Sequence, residues 1–311
     1  MAQNFPMMVS DGEISPISLN FTSIPDLGGN DVSSYGANLN VGLPLKKNFI
    51  GLSLGYQNFD FTFGESTNRI DLSAFENIQV FRTGLSFIRP LNGSLRFLIS
   101  GGAAIMSNLD GDLSSNDLVF NAIIGAIKSW GDDSRKSSLL IGAFYGTQLG
   151  EPTLLPAISF RQRLNDRWSY SLGIPVTGIT YNMGQRHRLA LQASPQGIFA
   201  NNSSLARVEG NRTITNTKLQ FNGITTRLFY QYRFAKNLAL FAEGGFMPSA
   251  TLKVLDDDNN DIIDLGAGSG AFFNVGLRLV VQRPKKGVNE ESSNDSSHSF
   301  INDQDVLNNN K

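Results

Sequence analysis

The feature that most constrains the fold is a strict alternation of apolar and polar side chains between positions 223 and 247. From Ile224 to Phe234 every second residue except Thr226 is apolar, and the residues between them include Arg227 and Arg233. A period of two predicts a β-strand with one apolar and one polar face. After a short connection at 235–237 the alternation resumes, so the segment predicts a β-hairpin.

The polar face of this hairpin carries guanidinium groups, which are costly to bury in a soluble core without partners. Aromatic residues gather at the turn end of the apolar face. Strands of membrane barrels combine lipid-facing apolar residues, polar residues in the lumen and an aromatic girdle at the interface. The hairpin therefore predicts an all-β fold, an antiparallel up-and-down transmembrane β-barrel.

The same alternation recurs along the chain and predicts about fourteen strands between residues 15 and 282. Tilted spanning strands need about 9 to 11 residues, which leaves room for short turns and modest loops. The segments on either side of Pro175 are short, and merging them gives twelve strands instead. An even number of strands places both chain termini on one side of the membrane, which is expected to be the periplasm.

Three regions are expected from these patterns: a lead-in at 1–14, the barrel at 15–282 and a tail at 283–311. The tail is rich in Asn, Ser, Glu and Asp, and such a composition predicts a disordered periplasmic segment. Its few apolar pairs, such as Phe300–Ile301, suggest docking on another envelope protein. The Met1-Ala2-Gln3 start is typical of a mature chain left after signal cleavage, with a native cytosolic start as the alternative.

Composition excludes several classes of protein. The 311 residues have a formal net charge of −1, which argues against a nucleic-acid partner. Cysteine is absent, so disulfides, zinc–thiolate sites and thiol nucleophiles are excluded. The sequence has no apolar run of about 18 residues, which excludes a transmembrane helix.

A family resemblance is carried by the repeated aromatics beside the turns, by the segment Trp168-Ser-Tyr-Ser-Leu-Gly-Ile-Pro175 and by the Ala-Gln start. In these features the chain resembles uncharacterised outer-membrane β-barrel proteins of the Bacteroidota over about residues 15–282. The resemblance implies a barrel in the cell outer membrane, with outer-membrane lipid around it. It supplies no catalytic residues.

Strand parity places a set of charged side chains in the predicted lumen. Its members are Arg82, Arg96, Arg161, Arg163, Arg227, Arg233, Arg278 and the acidic Glu243. Guanidinium groups that face one another need water, anions or carboxylates. Two interpretations follow: an anion-preferring constriction, or a structural network that stiffens the wall.

The acidic segment at 256–264 resembles a calcium-binding loop. Asp256, Asp258, Asn260 and Asp264 have the spacing 1, 3, 5, 9 of oxygen donors in such loops. Position 12 is Ala267 instead of the usual glutamate, so a solvated hairpin tip is the favoured alternative. No other cofactor or metal is indicated.

Catalysis is not indicated by the sequence. The two histidines, His187 and His298, are not placed beside a nucleophile, and there is no Gly-rich phosphate loop between a strand and a helix. The sequence therefore predicts a non-enzymatic outer-membrane barrel that acts as a passive channel or as a structural subunit of a larger complex. The alternative from another class is a soluble, secreted, ligand-binding β-sandwich.

Overall fold

The computed structural model describes residues 13–64, 70–132, 134–208 and 212–282, and almost all of them lie in an antiparallel β-barrel. The first strands in chain order are β1 (Glu13–Ile14), β2 (Ile17–Leu27), β3 (Asn30–Leu45), β4 (Asn48–Thr62), β5 (Asn77–Pro90), β6 (Leu95–Ser107) and β7 (Leu118–Trp130). The next are β8 (Ser137–Gly146), β9 (Thr153–Arg163), β10 (Trp168–Gly173), β11 (Thr177–Met183) and β12 (His187–Asn201). The last are β13 (Ala206–Val208), β14 (Arg212–Ile214), β15 (Lys218–Arg233), β16 (Leu238–Leu255), β17 (Asp261–Asp264), β18 (Gly268–Leu279) and β19 (Val281–Gln282). Two single-turn 3-10 helices lie at Ser73–Phe75 and Ser115–Asp117.

The barrel closes between β18 and β2, which pair antiparallel from Phe273↔Ser23 to Arg278↔Ser18. Strands β2 to β12, with β15, β16 and β18, make a ring of fourteen strands. The predicted fold and the count of fourteen are thus confirmed, and a two-layered sandwich is ruled out. No helix in the described parts of the chain is long and apolar enough to cross a membrane.

Expectations for the chain ends fall largely outside the described residues. Strand β1 pairs with β19, so the two ends of the described chain meet beside the barrel. The tail predicted at 283–311 and residues 1–12 of the lead-in lie outside the described residues. The proposed division of the chain therefore stays a prediction.

Short turns join the strands at one end of the barrel, called here the turn end, and Asn or Asp side chains close several of them. The Asn92 side chain accepts hydrogen bonds from the Ser94 and Leu95 amides. Asp132 and Asn165 do the same for the second and third residues after them. Asn and Asp favour turns for this reason. Longer connections lie at the opposite end, called the loop end.

The outer wall is apolar, and aromatic residues gather on it near the turn end. Leu85 is 61% exposed and Ile141 is 57% exposed, although both lie in the middle of long strands. Trp168 and Tyr181 lie with ring centroids 4.4 Å apart, and Trp130 lies 6.1 Å from Phe160. An exposed apolar band bounded by aromatics is the surface of a barrel that faces lipid.

The largest apolar core fills the barrel at the loop end. Its fully buried members include Phe59 on β4, Met106 on β6 and Leu252 on β16. Phe75, from the connection between β4 and β5, is also fully buried in this cluster. We call this cluster the loop-end core. Strand parity predicts polar side chains in the lumen. Apolar residues fill it at this end because the strands extend beyond the membrane-facing band and the loops pack back between them.

A direct contact between β6 and β12 narrows the barrel at this end. Asn201 of β12 forms a parallel bridge with Ser107 of β6, bypassing the five strands β7 to β11. Asp117 is fully buried at the junction, where its carboxylate accepts hydrogen bonds from the Asn201 side chain (3.0 Å) and the Ser114 amide (2.7 Å). The other nine barrel strands therefore surround the loop-end core.

Strand β12 is longer than the sequence indicated. The alternation predicted a strand to Ala193 and a polar loop from Asn201 to Asn211, whereas β12 runs to Asn201 and the β13–β14 hairpin follows. His187, predicted in a turn, is the first residue of β12. The sequence does not show this extension of β12, because both faces of the strand are covered at this height and polar residues such as Gln196 face inward.

Candidate functional site

The structure places all eight candidate lumen residues on strands, and some of them alternate with exposed apolar side chains. Arg82 follows the exposed Phe81, and Arg227 precedes the exposed Leu228. The eight do not form a single ring. They fall into a cluster on β15, β16 and β18, a polar chain on β3 to β5, and a set near the turn end.

In the cluster on β15, β16 and β18, Arg227 forms an ion pair with Glu243. Arg227 Nη1 lies 4.0 Å from Glu243 Oε2, and both side chains are largely buried. The Asn274 side-chain amide donates a hydrogen bond of 2.9 Å to the same carboxylate oxygen. Because Glu243 and Asn274 are direct partners in the β16–β18 register, the sheet itself sets this contact.

Arg278 completes the cluster by stacking on two rings. Its guanidinium lies 4.8 Å from the ring centroid of Phe229 and 4.3 Å from that of Phe241. Gly276 makes room for this arrangement, since a Cβ there would collide with the Phe241 ring. A cation over an aromatic face gains electrostatic stabilisation that grows when water is excluded. This cluster packs against the wall as a structural network does.

Arg82 belongs to a polar chain that crosses three strands. Its Nη1 donates to the Gln57 side-chain oxygen at 3.3 Å, and the Gln57 amide donates to the Ser34 hydroxyl at 3.1 Å. The Nε atoms of Arg82 and Arg227 are buried and have no hydrogen-bond partner. Val80, two residues before Arg82 on the same face, already belongs to the loop-end core. The arginines thus begin where that core ends.

The remaining arginines lie toward the turn end. Arg163 forms an ion pair of 2.9 Å with Asp166, and Arg96 donates to the Ser129 hydroxyl at 2.9 Å. Arg233 is the last residue of β15. The first contact ties Arg163 to the turn that follows β9, and the second ties Arg96 to the neighbouring strand β7.

Arg161 lines a small cavity on the inner side of β9 to β12. The cavity has a volume of ≈ 30 Å³, which is room for a few water molecules. Its other polar lining residues are Ser159, Ser169, Ser171, Thr180 and Gln192. The sequence gives no signal that these hydroxyl groups line a cavity, because serine and threonine are common on any lumen face.

Hydrogen bonds within the acidic loop close its tip. The Asp256 carboxylate accepts hydrogen bonds from the Asn260 amide and side chain, which closes the tip and lowers the pKa of Asp256. Asp264 caps the Gly266 amide, four residues beyond the tip. Among the described residues, no three His, Asp or Glu side chains are grouped to share a metal ion. Calcium binding by Asp256, Asp258, Asn260 and Asp264 stays a prediction from spacing.

His187 lies on the outer aromatic belt. Its Nδ1 is 2.7 Å from the Tyr230 hydroxyl, and its ring stacks 5.0 Å from that of Tyr232. His298 lies outside the described residues. A histidine between two tyrosines at the lipid boundary has the surroundings of an interfacial anchor.

Comparison with known proteins identifies one family model, described as a domain of unknown function (DUF6268), which matches residues 41–279. No curated protein matches the sequence. Among solved structures, similarity extends to LpxR from Salmonella typhimurium, with 7% identity, a TM-score of 0.37, and coverage of 84% of this chain and 99% of that one. The Salmonella typhi outer membrane phospholipase matches with 10% identity, a TM-score of 0.36 and coverage of 86% and 90%.

The Pseudomonas putida toluene transporter TodX is a third similar structure, with 10% identity, a TM-score of 0.40 and coverage of 88% and 90%. At these identities the activities of the three proteins carry no weight for this chain. Its architecture is established by its own closed hydrogen-bond ladder.

Proposed function

The chain belongs to the DUF6268 family, and because that description assigns no activity, we propose a function from the geometry. The protein is a non-enzymatic barrel of the cell outer membrane that acts as a structural subunit of a larger envelope complex. Its turn end and both termini of its chain face the periplasm, and its loop end faces outward. Its affiliation with the Bacteroidota barrels rests on the aromatics beside the turns, the segment at 168–175 and the Ala-Gln start.

The observation that carries this proposal is the loop-end core. Phe59, Phe75 and Leu252 are fully buried between strands of the narrowed end, where a channel would need a water-filled passage. Below this core, five arginines contact protein groups: Arg227 pairs with Glu243, Arg82 with Gln57, Arg96 with Ser129 and Arg163 with Asp166, and Arg278 stacks on two phenylalanine rings. Both features support a rigid, filled barrel.

Planar-bilayer recording tests the closed lumen. We expect pure, folded protein to give no steady conductance, because the loop-end core blocks the ion path. Heat-modifiable migration on SDS gels confirms in the same sample that the barrel is folded. Steady single-channel currents from the folded protein would contradict the proposal.

Co-purification tests the subunit role. Gentle extraction from native membranes is expected to recover the protein with other envelope proteins, and removing residues 283–311 is expected to reduce that recovery. The matched control is a full-length chain in which Phe300 and Val306 stay unchanged and the Asn residues at 308–310 become Ser. A chain that purifies alone from native membranes would rule out this role.

The second candidate is a passive, anion-preferring channel. It is favoured by the excess of lumen arginines over acidic residues and by the unbonded Nε atoms of Arg82 and Arg227. This function predicts a conductance whose anion preference weakens when Arg161, Arg163 and Arg227 become Ala. Conductance without any change of selectivity in that triple variant would count against it.

A non-enzymatic role is supported by the contacts of His187, which already engages two tyrosines on the belt. We expect a His187→Gln variant to change membrane anchoring and no hydrolytic rate. Ester hydrolysis by folded protein that disappears in this variant would overturn that view.

A further inference from the structure

Charged side chains are sorted between the two ends of the barrel. In the turns at 46–47, 131–136, 164–167, 184–186 and 234–237, lysine and arginine outnumber the acidic residues, which are Asp132, Asp133 and Asp166. The loop end has the opposite character, with acidic groups at the 256–264 tip and in the connections at 63–76 and 108–117. The two ends of the barrel therefore carry opposite charge.

Cations of the turn end continue onto the lipid-facing side of the wall between β5 and β12. Arg89 and Lys128 are exposed at strand positions on the outer face. Lys128 is two residues from Trp130, whose ring packs against Phe160. Trp and Tyr settle at the level of the lipid headgroups, so these cations lie at headgroup height.

Four exposed turn residues lie beside these two strand residues. We call the six cations together the basic collar: Arg89, Lys128, Arg135, Lys136, Arg167 and Arg186. Among the described residues of these turns, two carboxylates are already engaged. Asp166 pairs with Arg163, and Asp132 closes its own turn through the Ser134 and Arg135 amides. The Asp132 hydrogen bond from Ser134 lowers its pKa, which keeps this carboxylate ionised and bound to its turn.

We propose that the basic collar binds the phosphate groups of anionic phospholipids in the leaflet next to the turn end. The long Lys and Arg side chains reach along the apolar wall to place their charges among the headgroups, while the lipid acyl chains lie on the exposed apolar band. Each cation near such a surface contributes about a fivefold gain in binding. The collar thereby sets the height and orientation of the barrel. This inference rests on the proposed membrane location.

Native mass spectrometry of the full chain tests the collar. The protein is released from micelles containing equimolar phosphatidylglycerol and phosphatidylcholine, and retained lipids are counted. We expect a preference for phosphatidylglycerol that falls at least about fivefold in Lys128→Gln/Lys136→Gln. The matched control is Lys46→Gln/Lys47→Gln, which removes the same charge at the same end but outside the arc, and it is expected to retain the preference.

Three outcomes would overturn the collar. They are equal retention of both lipids by the wild type, equal loss in both double variants, and displacement of phosphatidylglycerol by millimolar glycerol phosphate, which would indicate a site for a soluble phosphate. Loss of a co-purified acidic protein without loss of lipid preference would assign the surface to a protein partner instead. Heat-modifiable migration of each variant separates all of these results from failure of the barrel itself.

Discussion

Glu243 is the acidic side chain that holds the arginine cluster on β15, β16 and β18. Its carboxylate lies 4.0 Å from Arg227 and accepts a hydrogen bond from Asn274. We expect Glu243→Gln to destabilise the barrel by about 1–3 kcal/mol, because Arg227 loses its counter-charge in a largely buried place. Urea unfolding in lipid vesicles measures the change.

A double-mutant cycle with Arg227→Gln provides the control for this pair. The double variant should cost less than the sum of the two single changes, because the second change removes the unpaired charge. Strict additivity would mean that the two side chains do not interact. The outcome would also separate a stiffening network from a row of water-solvated arginines.

Asp117 makes the stability of the loop-end junction depend on pH. Burial raises the pKa of Asp117, but hydrogen bonds from Ser107, Asn201 and Ser114 outweigh it and lower the pKa below its usual value. The carboxylate therefore stabilises the folded state above its unfolded pKa, and this contribution is lost as the pH falls through the lower, folded pKa.

We expect Asp117→Asn to loosen the β6–β12 junction by about 1–3 kcal/mol at neutral pH. The difference from the wild type should shrink in acid, where the wild-type carboxyl is protonated too. Hydrogen exchange of the Ser114 amide as a function of pH measures this difference in the stability of the junction. A difference that stays constant from neutral to acid pH would contradict the assignment.

At the scale of elements, the turn between β8 and β9 rests on the outer side of β12 at Gly197. A Cβ at Gly197 would collide with the Thr147 carbonyl oxygen and lie 2.6 Å from the Gly150 nitrogen. Strand β11 stops pairing with β12 at Ala193, so this turn covers the part of β12 that lies beyond the short β10–β11 hairpin. This contact between the β8–β9 turn and β12 keeps the barrel wall continuous above the short β10–β11 hairpin.

Gly197→Ala is therefore expected to destabilise the barrel by about 1–3 kcal/mol through overpacking. Gly244→Ala is the matched control, because nothing lies within 4 Å of a Cβ at that position. Thermal loss of heat-modifiable mobility compares the two variants. Equal behaviour of both alanine variants would show that the β8–β9 turn does not depend on this contact.

At the scale of the whole molecule, the ladder of fourteen strands has no free edge in the ring that the described residues form. Closed barrels resist opening because separating any strand pair exposes backbone groups for which lipid offers no alternative hydrogen bonds. We expect the folded protein to migrate faster on SDS gels without boiling than after boiling. Identical migration of the two samples would contradict a closed barrel.

Sequence alone determined the barrel and the inward direction of polar side chains, because alternation along a strand is a local property. Arg82 and Arg227 could be assigned to the polar side from their immediate neighbours. The two short strands around Pro175 could be predicted from the position of the proline. The period of two and the turn residues are enough to predict these features. No contact between residues distant in sequence is required.

Only the tertiary structure decided what fills the lumen and how its end is closed. Phe59 and Phe75 meet Leu252 across the barrel, and Ser107 meets Asn201 across five bypassed strands. Alternation shows which face a residue occupies but not what lies opposite. Packing between strands that are far apart in sequence depends on closure and register, and these emerge only when all fourteen strands are in place.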